Sequence, residues 1–402
     1  MDKNLERFVK YCKIDTQSDS TSSLIPSTPK QLNLTKELLK DLNEMGIKGE
    51  IDEFGLLYAK LPGEEGLDPI GLNAHVDTAE EITDTNCSPR YIENYDGGTI
   101  RLNETYSMGP EQFPCLSKFK GDDLIVTDGN TLLGADDKAG IAIIMAALDY
   151  YTSHPEKKHH PVCILFSNDE EIGRGPDHFD AEKFGAAYAY TIDGEVYDTA
   201  SYENFNAAHA FVNIKGVTVH PGEAKDQMVN AGSLACEFDG LLPALSRPQY
   251  TEWREGFVHL ISMEGECDKA RMRYIIRDHD REKLAALKDT FIRARDELRS
   301  KYPKAEIEVE LYDDYRNMKE CIDKDPRCIE RIEKTFAKLG HKIVYKPMRG
   351  GTDGAGFSFK GCPTPNLGTG SYNHHGRFEF LSVGEFNKMV EIVITLLSAD
   401  LK

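Results

Sequence analysis

"PVCILFSNDEEIG", residues 161–173, decides how the fold is read. A short apolar run, opened by Pro161 and closed by Ser167 and Asn168, reads as a buried strand. It stops at three consecutive carboxylates, Asp169, Glu170 and Glu171. Acids crowded at the end of a buried strand repel one another and lose hydration, so each costs free energy unless a cation holds it. Two further apolar runs end in the same manner: "DPIGLNAHVDT" (68–78) leads into His75 and Asp77, and "GAAYAYTIDGE" (185–195) into Asp193. Between them, "DDKAGIAIIMAALDYY" (136–151) predicts a helix that is apolar on most sides and therefore buried. Strands alternating with helical patterns predict a mainly parallel α/β sheet, in which ligands gather beyond the carboxyl ends of the strands.

Working outward, residues 1–17 predict an amphipathic helix with Leu5, Phe8, Val9 and Cys12 on one face, rather than a signal peptide. Residues 16–31 are polar and turn-rich, and the helix of 31–46 ends at Gly46. Between 206 and 313 the texture changes to strand, helix, two strands, helix, strand, which is the ferredoxin-like order. The expected architecture is an α/β domain of residues 1–205 and 314–402, interrupted by a smaller α+β domain of residues 206–313.

The chain has 402 residues and a net charge of −20, from 48 basic and 68 acidic side chains. That balance offers no field for nucleic acid or an anionic membrane. No apolar stretch approaches the ~20 residues of a spanning helix. The 9 cysteines are scattered, odd in number and without a CxxC pair, as expected of reduced thiols in a cytoplasmic protein.

Taken singly, each polar motif has an ordinary reading. His75 and Asp77 of "NAHVDT" could be a turn, Asp136 and Asp137 of "GADDKAG" could cap a helix, and Asp193–Gly194 is a common turn signal. Glu170 and Glu171 could lie in a solvated loop, and His374 and His375 of "GSYNHHGRFEF" on the surface. Together they point elsewhere, because mixed histidine and carboxylate ligands suit zinc or a similar divalent ion, and cysteine is absent from the set. Two such ions bring four positive charges. Asp136, Glu171 and Asp193 return three negative ones, His75 and His375 stay neutral, and a bridging hydroxide can cancel the remainder. Adjacent side chains in extended backbone diverge, so Glu171 can bind metal while Glu170 faces the substrate side.

At these residues the chain resembles the dinuclear-zinc peptidase family that includes glutamate carboxypeptidase, aminoacylase and succinyl-diaminopimelate desuccinylase. "AHVDT", "TLLGADDKAG", "DEEIG" and "TIDGE" carry the likeness, and "YENFNAA", "YIIRDHD" and "RGGTDG" place it in the tripeptide-aminopeptidase branch. The resemblance implies that His75, Asp136, Glu171, Asp193 and His375 bind two divalent ions, most readily zinc, with Asp136 between them. It implies that Asp77 orients His75 and that Glu170 is the general base. In the inserted domain, which resembles the family's lid and dimerisation module, it implies substrate contacts from His220 of "VHPG" and Arg277 of "YIIRD". On their own, His220 would be a turn histidine and Arg277 a strand-end residue paired with Asp278 or Asp280. The expected partners are short peptides and a second copy of the chain.

Some positions depart from the family pattern. His374 stands where an aromatic residue is usual, and His375 is taken as the ligand because it immediately precedes the matching glycine. Glu195 replaces a common glycine and Asn168 a proline. "RGGTDG" (349–354) lacks the spacing of a phosphate-binding fingerprint, which leaves close backbone approach or a conformational role.

The expected activity is removal of the N-terminal residue from short peptides, especially tripeptides, by a hydroxide bridging the two ions. The rival within the family is a broad dipeptidase, carboxypeptidase or aminoacylase. A non-enzymatic metal or peptide binder could dispense with Glu170, which is present here together with all five ligand candidates.

Overall fold

A computed structural model describes residues 2–401. It divides into two compact units, one running through Tyr202 with Met318–Lys346 and the residues from Thr352 onward, the other of Glu203–Asn317 with Pro347–Gly351.

The first unit is built on an 8-stranded sheet in the order Gly49–Ile51, Leu57–Leu61, Val162–Ser167, Ile70–His75, Tyr188–Gly194, Asn366–Gly368, Thr199–Ser201, Val344–Tyr345. Its centre is parallel, as expected, and in register: Ile70 lies opposite both Val162 and Tyr188, and His75 opposite Ser167. Antiparallel pairings appear toward both edges. Ile70–His75 and Val162–Ser167 are buried along their whole length, as strands covered on both faces must be. Fully burying a side chain such as Ile164, Leu165 or Phe166 stabilises by ~1.5–3 kcal/mol. A core of this size can support an expensive cluster of acids at its edge.

The helix Ala135–Ser153 is buried on nearly every side, which explains an apolar pattern without a polar face. It comes so close to the sheet at Gly140 that a Cβ there would sit 1.9 Å from the Ile192 carbonyl oxygen and 2.4 Å from Asp137 Oδ1. Gly140→Ala is therefore expected to cost about 1–3 kcal/mol, read as an earlier midpoint in urea unfolding.

A second, 4-stranded sheet in this unit orders Ser371–Tyr372, Phe380–Ser382, Leu124–Val126 and Arg90–Ile92. The first two strands pair antiparallel and hold between them the loop with His374 and His375. Leu124–Val126 pairs with Phe380–Ser382, so the chain leading to Asp136 runs beside that loop.

The amino-terminal helix Lys3–Cys12, capped by Asp2, buries Leu5, Phe8, Tyr11 and Cys12. The expected face is the buried one: Val9 is half-buried against the same core, and Tyr11 joins it with its hydroxyl donating to Asp41 Oδ2 at 2.7 Å.

In the second unit the strands Phe257–Gly265, Lys269–Asp278, Asn206–Lys215 and Glu306–Asp313 form an antiparallel sheet in that order, the ferredoxin-like arrangement. Helices Ala231–Leu241 and Arg281–Lys301 pack on one face through Leu234, Phe238, Phe291 and Leu298. Arg349 belongs to this unit: its Nη1 donates to the carbonyls of Trp253 and Glu255, and its guanidinium lies over Phe205. Among the described residues, no helix is long and apolar enough to cross a membrane.

Candidate active site

Because the central strands are parallel and in register, their carboxyl ends fall together, and the residues that follow them converge. Ligand atoms of His75, Asp136 and Glu171 lie within 4.8 Å of one another, as do those of His75, Asp137 and Asp193. His75 Nε2 is 3.1 Å from Asp136 Oδ1 and 3.6 Å from Asp193 Oδ1. On the far side, His375 Nε2 is 2.9 Å from Glu171 Oε2 and 3.3 Å from Asp136 Oδ2. The two oxygens of Asp136 thus face histidines from opposite sides, the posture a carboxylate shared by two cations requires.

Asp137 is differently employed. Its oxygens accept the backbone N–H groups of His75 at 3.3 Å and Gly140 at 3.1 Å, so it fastens the helix start to the strand end. Asp77, fully buried, has its Oδ1 3.4 Å from His75 Nδ1, while its two oxygens accept the N–H groups of Glu170 at 3.0 Å and Glu171 at 3.1 Å. His75 Nδ1 is nearer still to the Asp77 backbone carbonyl, at 3.1 Å, so residue 77 contacts both the imidazole and the loop with the glutamate pair.

Like charges at roughly 4 Å repel by about 4 kcal/mol when the effective dielectric constant is near 20. The same crowding favours the protonated form of several of these acids. Burial, then the Asp136 carboxylate, push Glu171 up to about 7 and Asp193 up to about 6. Burial raises Glu170 well above the carboxylate range, with Asp193, Asp353 and Glu171 adding to it against His75. Burial would lower His75, but Asp136, Asp193 and Asp77 outweigh it and lift the imidazole well above its ordinary value. Burial also opposes ionisation of Asp136, yet the adjoining His374, with His375 and His75, holds it well below the carboxylate range. Glu171 Oε1 is buried with no hydrogen-bond partner among the described residues. Crowded acids, a buried acceptor left over and neutralisable histidines are the donor set that divalent cations satisfy.

His220 and Arg277 belong to the second unit. His220 is exposed and accepts the Gly222 N–H at 3.1 Å. Arg277 is partly committed: Nη1 donates to the Ala208 carbonyl at 2.9 Å and lies 3.6 Å from Asp314 Oδ2, so its acidic neighbour is Asp314 rather than Asp278 or Asp280.

Sequence reasoning passed over two buried acids. Glu379 accepts the N–H groups of Leu133, Gly134 and Asp136. Asp353, at the end of "RGGTDG", accepts the Ser167 hydroxyl at 2.6 Å and is pushed up to about 7 by burial. The available signal was an acid placed among apolar or glycine residues, as in "RFEF" and "GGTDGAGF".

The model of peptidase family M20/M25/M40 matches residues 119–399, and the chain belongs to that family; it is a peptidase. Within the family its likeness is to peptidase T. It is 45% identical over 401 residues to peptidase T of Clostridium acetobutylicum, spanning 98% of both chains. Among solved structures, the aminopeptidase PepT of Bacillus cereus superposes with a TM-score of 0.79 at 22% identity, over 98% of this chain and 97% of that one. A tripeptidase of Staphylococcus aureus gives 0.78 at 20%, over the same shares. The two structures share the fold.

Proposed function

We propose that the chain is a metal-dependent aminopeptidase that removes the N-terminal residue of short peptides, tripeptides above all. The observation that carries this reading is the pairing of Glu170 with Glu171: one loop, held by Asp77, supplies a half-buried base beside a histidine–carboxylate cluster. Likeness to peptidase T over almost the whole chain supports the substrate class.

His75, Asp136, Glu171, Asp193 and His375 would hold two divalent ions, and zinc suits this mixture of imidazole and carboxylate. Such ions, when bound, acidify water and polarise a carbonyl. Glu170 takes the proton of the attacking water as its oxygen bonds to the scissile carbonyl carbon. It then returns that proton to the departing amine as the C–N bond breaks. Asp77 keeps the His75 ring and the Glu170 backbone in register through this exchange. From the second unit, Arg277 is assigned the peptide's terminal carboxylate and His220 the developing oxyanion. A carboxylate reader at fixed reach favours short substrates. The second unit would also carry a homodimer contact, and a cytoplasmic location fits the scattered free cysteines.

A peptide panel tests the assignment. A free tripeptide is cleaved, an N-blocked one is not, and C-terminal amidation raises KM. Chelation removes two ions per chain together with activity, and zinc restores both. Equal cleavage of free and N-blocked peptides would replace the aminopeptidase by an acylase or carboxypeptidase.

A further inference from the structure

The ring of His374 reaches the same carboxylate as that of its neighbour His375. His374 Nδ1 is 3.3 Å from Asp136 Oδ2, the oxygen that also faces His375 Nε2 at 3.3 Å. The two rings nevertheless differ in company. His375 lies against the further candidate ligand Glu171 and its side chain is 42% exposed, whereas that of His374 is 18% exposed and turns its other nitrogen inward. His374 Nε2 is 2.8 Å from Ser371 Oγ, which is 2.6 Å from Thr369 Oγ1. Thr369 Oγ1 donates to the Gly194 carbonyl at 2.7 Å. Gly194 follows Asp193 in the strand Tyr188–Gly194. A continuous line of polar contacts thus runs from Asp136 through His374, Ser371 and Thr369 to the backbone beside Asp193.

We propose that His374 is a positioning residue: it donates from Nδ1 to Asp136, fixes which way that carboxylate presents its oxygens to the two ions, and ties it through Ser371 and Thr369 to the strand that presents Asp193. The inference rests on the two-ion reading above. A phenyl or phenol ring at 374 could fill the space but would have no donor at the Nδ1 position. Hydrogen bonds to ligating carboxylates typically change metal affinity by roughly 10–100-fold. Backbone support of Asp136 is independent of this chain, because Glu379 accepts the Asp136 N–H at 2.9 Å. Loss of the His374 contact should therefore loosen the carboxylate without unseating its backbone.

The test is zinc affinity and stoichiometry by competition with a chromogenic chelator, on the full chain and with thermal unfolding of each variant alongside. His374→Phe is expected to keep two ions per chain, with affinity for at least one of them lower by roughly 10–100-fold. His374→Asn, whose amide nitrogen can stand near the Nδ1 position, is expected to recover most of that loss. Ser371→Ala should weaken binding in the same direction. Unchanged zinc affinity in a folded His374→Phe chain would overturn the proposal, and so would a fall to one ion per chain, which would make His374 a ligand. A wild-type chain that takes up no zinc would instead overturn the two-ion reading and this inference with it.

Discussion

Glu170→Gln is expected to lower kcat on a free tripeptide by roughly 10²–10⁴-fold, the range for loss of a general base, while the chain keeps both ions. Glutamine preserves the volume, and the backbone contact to Asp77 does not involve the side chain that changes. What disappears is the ability to take a proton from water and give it to the amine. Glu171 cannot substitute, because its Oε2 is engaged with His375 at 2.9 Å. Metal content measured beside single-turnover cleavage separates the two glutamates. A Glu170→Gln chain that cleaves at the wild-type rate would remove the base from this position.

The second large effect belongs to the acid pair that opens the buried helix. Asp136→Ala is expected to empty the site of at least one ion and to cost about 10³-fold or more in activity, since Lewis-acid stabilisation is worth several kcal/mol and each 1.36 kcal/mol is tenfold. Asp137→Ala should do something else. It leaves the N–H groups of His75 and Gly140 without their acceptor, at about 1–3 kcal/mol of stability for a buried donor. Ions per chain and the unfolding midpoint, read together, distinguish them: metal loss dominates in the first, instability in the second. Retention of two tightly held ions by Asp136→Ala would remove it from the centre of the site.

Much of this was legible because the chemistry sits at ends of strands whose apolar runs are unmistakable. "PVCILFS" and "DPIGLNAH" announce buried strands, and a parallel sheet obliges their following residues to meet. That rule accounts for the meeting of His75, Glu171 and Asp193, while the roles given to them came from their combination and from the resemblance. The supporting acids were not legible, because their partners are remote: Asp353 meets Ser167 across 186 positions, and Glu379 meets the Asp136 N–H across 243. An acid among apolar or glycine residues is the one local hint, and it does not say which distant segment supplies the N–H or hydroxyl. Nor does the sequence show that Arg349, in a glycine-rich turn, packs over Phe205 of the second unit. The first helix adds Tyr11 to its expected apolar face for a plainer reason: the ring goes inside because its hydroxyl finds an acid.

The double grip of Asp77 has a mechanical corollary. Reloading the protein with an ion of different radius would tilt the His75 ring, and the same joint would pass the tilt to the glutamate loop. Metal exchange in this chain should therefore alter proton handling as well as electrophilicity, and rates across a series of metals should not follow Lewis acidity alone.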